Sequence, residues 1–102
     1  MSIYTELVTF KTREGIKKDG FISIVNSLEK NFHSKQKGFL DTELLYDEKR
    51  NHWIMIQHWE SVELLKAASE RMFQDIQAQA FVESIIPETV DMVITPQIQV
   101  WK

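Results

Sequence analysis

The octapeptide "HWIMIQHW", His52 to Trp59, alternates with a period of two, so His52, Ile54, Ile56 and His58 point one way and Trp53, Met55, Gln57 and Trp59 the other. An amide placed between two indoles on a largely apolar strand face needs a polar partner or a ligand. Counting along the neighbouring strand-like segments adds Tyr4, Glu6, Asp41 and Glu43 to the Trp59 side. Carboxylates among aromatics are the strongest chemical candidates, because desolvation raises a carboxyl pKa and converts it into a competent general base. Such a group could take a proton from a phenol or enol before the anion meets oxygen.

Other chemistries are disfavoured by what the chain lacks or misplaces. It has no cysteine, which excludes disulfides, thiolate zinc sites, iron–sulfur clusters and thiol nucleophiles. His52 and His58 lie six residues apart on one strand face, about 20 Å at ~3.3 Å per residue, and cannot share a metal ion. His33 belongs to a different, loop-like region, so all three histidines read as structural and no metal site is expected. No Ser-His-Asp pattern or G-x-S-x-G elbow is present. Twelve basic and fifteen acidic residues, mixed along 102 positions for a net charge of −3, leave no footprint for nucleic acid. Charges in the first twenty residues interrupt any signal-peptide core, and no apolar run reaches the ~20 residues of a membrane span. A cytoplasmic, non-membrane protein is expected.

The elements that must position these residues follow from periodicity. "IYTELVTF" is a first strand. Phe21, Val25, Leu28 and Phe32 form one stripe of a helix spanning about 16–32. "FLDTELLYD" is a second strand, joined through "EKRN" as a hairpin to the strand that carries Gln57. Ser61 is placed as an N-cap with Glu63 in the first turn, so a second helix runs to about Met72 with Leu65, Ala68 and Met72 buried. A further helical segment, "QDIQAQAFVESII", stops at Pro87, and "TVDMVITPQIQVW" supplies a last strand in which Pro96 marks a bulge or exit. The order β-α-β-β-α-β over 1–102 predicts one α+β domain of the ferredoxin-like type, a four-stranded antiparallel sheet with its helices on one face.

Helices on one face leave the other bare. The pattern places Leu7, Leu40, Leu44, Ile54 and Ile56 on one side and Tyr4, Val8, Phe10, Phe39, Leu45, Trp53, Met55 and Trp59 on the other. Neither is polar enough for water in a chain that hides only roughly 60 to 65% of its unfolded surface. A second copy is therefore expected to cover the exposed sheet, two sheets closing a barrel about a two-fold axis.

The run "GFLDTELLYD", followed by a strand ending in "HWES" and a helix beginning "VELLKA", resembles the antibiotic biosynthesis monooxygenase-like family of dimeric α/β-barrel proteins. The resemblance implies a homodimer and a cavity between the sheet and its own helices. It also implies a cofactor-independent monooxygenase acting on a small aromatic or quinol-like metabolite; the alternatives are a non-catalytic binder of the same ligands and a structural dimerisation module. With the cavity so placed, Glu43 and Trp59 are the candidate catalytic residues, and Tyr4, Glu6, Met55, Gln57 and Leu65 the candidate substrate-binding residues. Haem-degrading members carry an Asn on the first strand and a Trp and a His farther on, where this chain has Glu6, Ala68 and Ala78, so haem chemistry is not expected. Other members place a His about nine residues beyond the matching Trp, again at Ala68, which leaves Trp59 as the residue in common.

Overall fold

A computed structural model of the chain describes residues 2–102. Four strands, β1 (Tyr4–Phe10), β2 (Phe39–Asp47), β3 (His52–Trp59) and β4 (Asp91–Pro96), pair in the order β2-β3-β1-β4, every neighbouring pair antiparallel. Helices α1 (Lys18–Asn31), α2 (Val62–Met72) and the short α3 (Gln79–Ser84) pack on one face. This is the ferredoxin-like arrangement that the periodicity predicts.

Local chemistry explains the boundaries. The Ser61 hydroxyl accepts from the Leu64 amide at 3.2 Å and starts α2. In the β2–β3 hairpin the Asp47 carboxylate accepts from the amides of Lys49 and Arg50 and from the Arg50 guanidinium, which holds its pKa below the ordinary carboxylate range. Asn51 completes that turn at φ 56°, a conformation its short polar side chain tolerates. Pro96 ends β4, and a further bond, from the Gln97 amide to the Ile3 carbonyl, ties the tail to the sheet.

The predicted α1 stripe, Phe21, Val25, Leu28 and Phe32, is buried throughout. Phe10, Phe21, Trp53 and Phe81 form one aromatic cluster with ring centroids 4.8 to 5.9 Å apart. A second, smaller cluster joins Trp59, Leu65 and Ala68. The core therefore has an aromatic end and an indole-capped end, with Met55 and Gln57 between them along β3.

The register of β2 departs from simple alternation. Phe39 pairs with Trp59, yet Asp41 pairs with His58, so Leu40 is an extra residue, a bulge that reverses the face of everything after it. Thr42, Leu44 and Tyr46 consequently lie on the helix side, while Asp41, Glu43 and Leu45 lie on the outer face with Ile54, Ile56 and His58. The expected assignments of Leu44, Leu45, Asp41 and Glu43 are inverted for this one reason. The outer face is thus a mixed surface: Leu7, Leu45 and Val93 are 37%, 37% and 50% exposed, and beside them His58 Nδ1 lies 2.6 Å from Asp41.

Candidate functional site

A cavity of about 350 Å³ lies between the sheet and α2 and α3. Its sheet wall comes from Val8, Phe10, Met55 and Met92, its helical wall from Ala68, Ser69, Met72, Phe81 and Val82, and Phe73, Ile85 and Val90 contribute to the remainder. Its polar side chains include Glu6, His33, Gln57 and the Trp59 indole, gathered near one end. An apolar chamber with a few convergent polar groups suits a small, flat, largely apolar ligand.

The polar end is built from three elements. Glu6 of β1 stands opposite Gln57 of β3 in the sheet register. His33 enters from the 3₁₀ turn that follows α1, where its ring stacks on Phe39 at 5.5 Å and meets Trp59 edge-on at 6.2 Å. It is only 2% exposed. Its Nδ1 lies 2.5 Å from Oε2 of Glu29, one helical turn earlier, so Nδ1–H donates to that carboxylate and Nε2 is the ring's accepting nitrogen.

Gln57 is the hub that answers for the amide between two indoles. The Trp59 Nε1–H can only donate, so the Gln57 atom 3.2 Å from it is the amide oxygen. That fixes the amide nitrogen toward Thr42 Oγ1 at 3.0 Å and toward the His33 ring, 3.2 and 3.3 Å from its two nitrogens. Near-equal distances place the amide over the ring face, because an in-plane approach would collide with Cε1. Phe39 stacks on the imidazole as well, so the ring is held by neighbours as well as by its hydrogen bond to Glu29.

Glu6 is 7% exposed, and among the described residues no side chain or amide hydrogen-bonds its carboxylate. Burial raises its pKa above the ordinary carboxylate range, and a positive charge on nearby His33 pulls it partly back. The site thus pairs a carboxyl biased toward its neutral, proton-donating form with an imidazole whose Nε2 is available to accept a proton.

Of the residues singled out from sequence, Glu6, Met55, Gln57 and Trp59 converge on the cavity. Glu43 does not: it is exposed on the outer face opposite Ile56, carried there by the Leu40 bulge. Leu65 is buried against Trp59 outside the cavity lining, and Tyr4, paired with Trp59 at the strand end, also lies beyond it. His33, read as a loop histidine, is the residue that sequence reasoning missed. The available signal was the i, i+4 spacing of Glu29 and His33 across a helix end, which brings a carboxylate to an imidazole.

The fold and this site define a class: a ferredoxin-like α+β protein with a small-molecule cavity between its sheet and helices. Within it, residues 3–83 match the antibiotic biosynthesis monooxygenase family, and the chain belongs to that family. The fold is similar to that of SnoaB, a cofactor-independent oxygenase from Streptomyces nogalater, with a TM-score of 0.76, 19% identity, and 98% of this chain and 97% of that chain covered. A protein from Bordetella bronchiseptica assigned as an antibiotic biosynthesis monooxygenase superposes with a TM-score of 0.78 at 13% identity, covering 97% of this chain and 100% of that one. A monooxygenase candidate from Shewanella loihica reaches a TM-score of 0.65 at 21% identity, over 98% and 99% of the two chains. None of the curated proteins matches the chain.

Proposed function

We propose that the protein is a cofactor-independent monooxygenase that oxidises a small aromatic or quinol-like metabolite. The observation that carries this reading is His33, buried in the wall of an apolar cavity with Nδ1 tied to Glu29 and Nε2 left to act as a base. A phenol or enol bound with its oxygen at the polar end loses a proton to Nε2. The resulting anion is electron-rich enough to reduce oxygen itself, forming a peroxide at carbon. Glu6 in its protonated form, which burial favours, donates a hydrogen bond to the developing peroxide, which collapses to a ketone or quinone and water. For a methylene substrate the balance is R2CH2 + O2 giving R2CO + H2O, and all four electrons come from the substrate carbon. Met55 and the Trp59 indole form apolar walls for the ligand, and Gln57 positions His33. The similarity to SnoaB, itself a cofactor-independent oxygenase, supports the same reaction class.

The working unit on this reading is a homodimer whose outer sheet faces meet, because Leu7, Ile54, Ile56 and Val93 otherwise face water. Oxygen uptake on a panel of hydroquinones, naphthols and anthrones, with the protein freed of metal by chelation, tests the reaction. His33→Gln is expected to lower turnover about 10²- to 10⁴-fold, the range for a lost general base. Absence of uptake across the panel, with ligands bound, would instead leave a binding protein of the same fold.

A further inference from the structure

A second recess lies on the far side of His33. It is an open groove between α1 and β2, lined among others by Ile22, Asn26, Glu29, Lys30, Phe39 and Thr42, and its lining shares no residue with that of the cavity. Among the described residues, two side-chain hydrogen bonds cross the wall between these compartments. His33 on the cavity side reaches Glu29 on the groove side, and Gln57 on the cavity side reaches Thr42 on the groove side. The second is an amide to a hydroxyl, its direction fixed by the Trp59 indole, and carries no titratable group. The first joins an imidazole that is 2% exposed to a carboxylate whose side chain is 25% exposed.

We infer that Glu29 is a positioning residue through which His33 exchanges protons with solvent in the α1–β2 groove, on the opposite side of the wall from the ligand. The inference rests on the reading of His33 as the base. With a ligand filling the cavity in front of Nε2, any proton the ring exchanges with solvent passes by way of Nδ1 and its partner Glu29. The ligand O–H bond breaks as the Nε2–H bond forms. The Nδ1–H bond then breaks as an O–H bond forms at Glu29 Oε2, and that proton passes to groove water. When Nε2–H is later surrendered to the peroxide oxygen, the reverse path from groove water through Glu29 restores Nδ1–H. No oxidant enters these steps, and the protons balance over the cycle. Lys30 lines the same groove as Glu29, and Glu6 faces His33 from the cavity side.

The test is the exchange of the His33 ring N–H with water, measured by nitrogen-resolved NMR on ¹⁵N-histidine-labelled protein, which requires no substrate. Glu29→Gln keeps shape and a hydrogen-bond acceptor but cannot take a proton, and exchange is expected to slow at least tenfold. Glu29→Ala opens the groove onto Nδ1, and exchange is expected to return in proportion to added formate, whose carboxylate fits where the side chain stood. A merely structural Glu29 would predict no formate response. Native exchange in Glu29→Gln, or no response to formate in a folded Glu29→Ala, would overturn the route. The oxygenase reading is separable: slowed exchange without oxygen uptake from any panel compound leaves the proton path and removes the reaction, whereas uptake with native exchange in Glu29→Gln does the opposite.

Discussion

Gln57→Leu tests whether the amide between the indoles is a structural hub or a free ligand contact. Leucine is close in volume, so the cavity term is small and the cost comes from hydrogen bonds. Trp59 is 1% exposed, and its Nε1–H would lose the acceptor at 3.2 Å, a buried unpaired donor that costs about 1–3 kcal/mol. Thr42 sits at the groove, where water can replace the amide, so its share is about 0.5 kcal/mol. The expected total is about 1.5–3.5 kcal/mol, which for a chain of this length lowers Tm by roughly 6–28 °C. Urea unfolding at fixed protein concentration measures it, concentration being held because association would contribute to stability. Trp59→Phe removes the donor itself, so in that background the cost of Gln57→Leu should fall by about 1–2 kcal/mol, read as a coupling energy. Strict additivity, or a Gln57→Leu protein as stable as the native one, would show that the Trp59–Gln57 bond does not hold the wall and would return Gln57 to the role of a ligand contact.

Glu6→Gln should stabilise the fold, with a pH dependence whose sign is set by burial. The Glu6 pKa is raised in the folded state, so its contribution is fully present below the unfolded value of about 4.3 and is lost as pH rises through the folded value. The variant should therefore match the native protein near pH 4 and exceed it at pH 8, by about 1.4 kcal/mol for every tenfold weakening of the acid on burial; an equal difference at both pH values would refute the assignment. Gly38 has φ +87°, and a Cβ there would meet Leu64 Cδ1 at 2.5 Å, so Gly38→Ala should cost about 2–4 kcal/mol in thermal unfolding. Gly20→Ala, inside α1 with open space around it, should instead stabilise by about 0.5–1 kcal/mol. Ile56→Lys, a charge in the middle of the outer face, should lower the sedimenting mass from dimer to monomer at micromolar concentration, and a native chain that sediments as a stable monomer would end the dimer proposal.

The fold was legible because each element carries its own period. The α1 stripe, the alternation of β3, the Ser61 cap and the exit at Pro96 are local signals, and the packing agrees with each of them, whereas the helix expected to stop at Pro87 spans only Gln79–Ser84 and Pro87 opens a 3₁₀ turn. The apolar content of both sheet faces was legible for the same reason. What failed was parity across β2. One inserted residue, Leu40, leaves composition and strand length untouched but exchanges the faces of all that follow, so Glu43 and Leu45 went to the wrong side while Phe39, before the bulge, did not. Nothing in "FLDTELLYD" marks the insertion, since its residues suit either face.

That periodicity passed over the cavity position of His33 has a different cause. Strand periodicity can find only residues whose direction the strand dictates, and it found Glu6, Met55, Gln57 and Trp59. His33 sits in a 3₁₀ turn after a helix, where direction is set by tertiary partners: Phe39 beneath the ring, Gln57 over its face and Glu29 at Nδ1. Two of those partners are 6 and 24 residues away in sequence, so the site exists only once β2 and β3 have paired behind α1. The sheet thus supplies apolar walls and one buried carboxyl from regular positions, and the nitrogen proposed as the base comes from the irregular segment joining α1 to β2. Placing it there gives His33 a wall on one side and a solvent-facing carboxylate on the other, which a residue projecting from the middle of β3 into the closed cavity could not have. On the proposed reading, the connection that sequence periodicity reads as a plain loop is therefore the element whose alteration should change chemistry most.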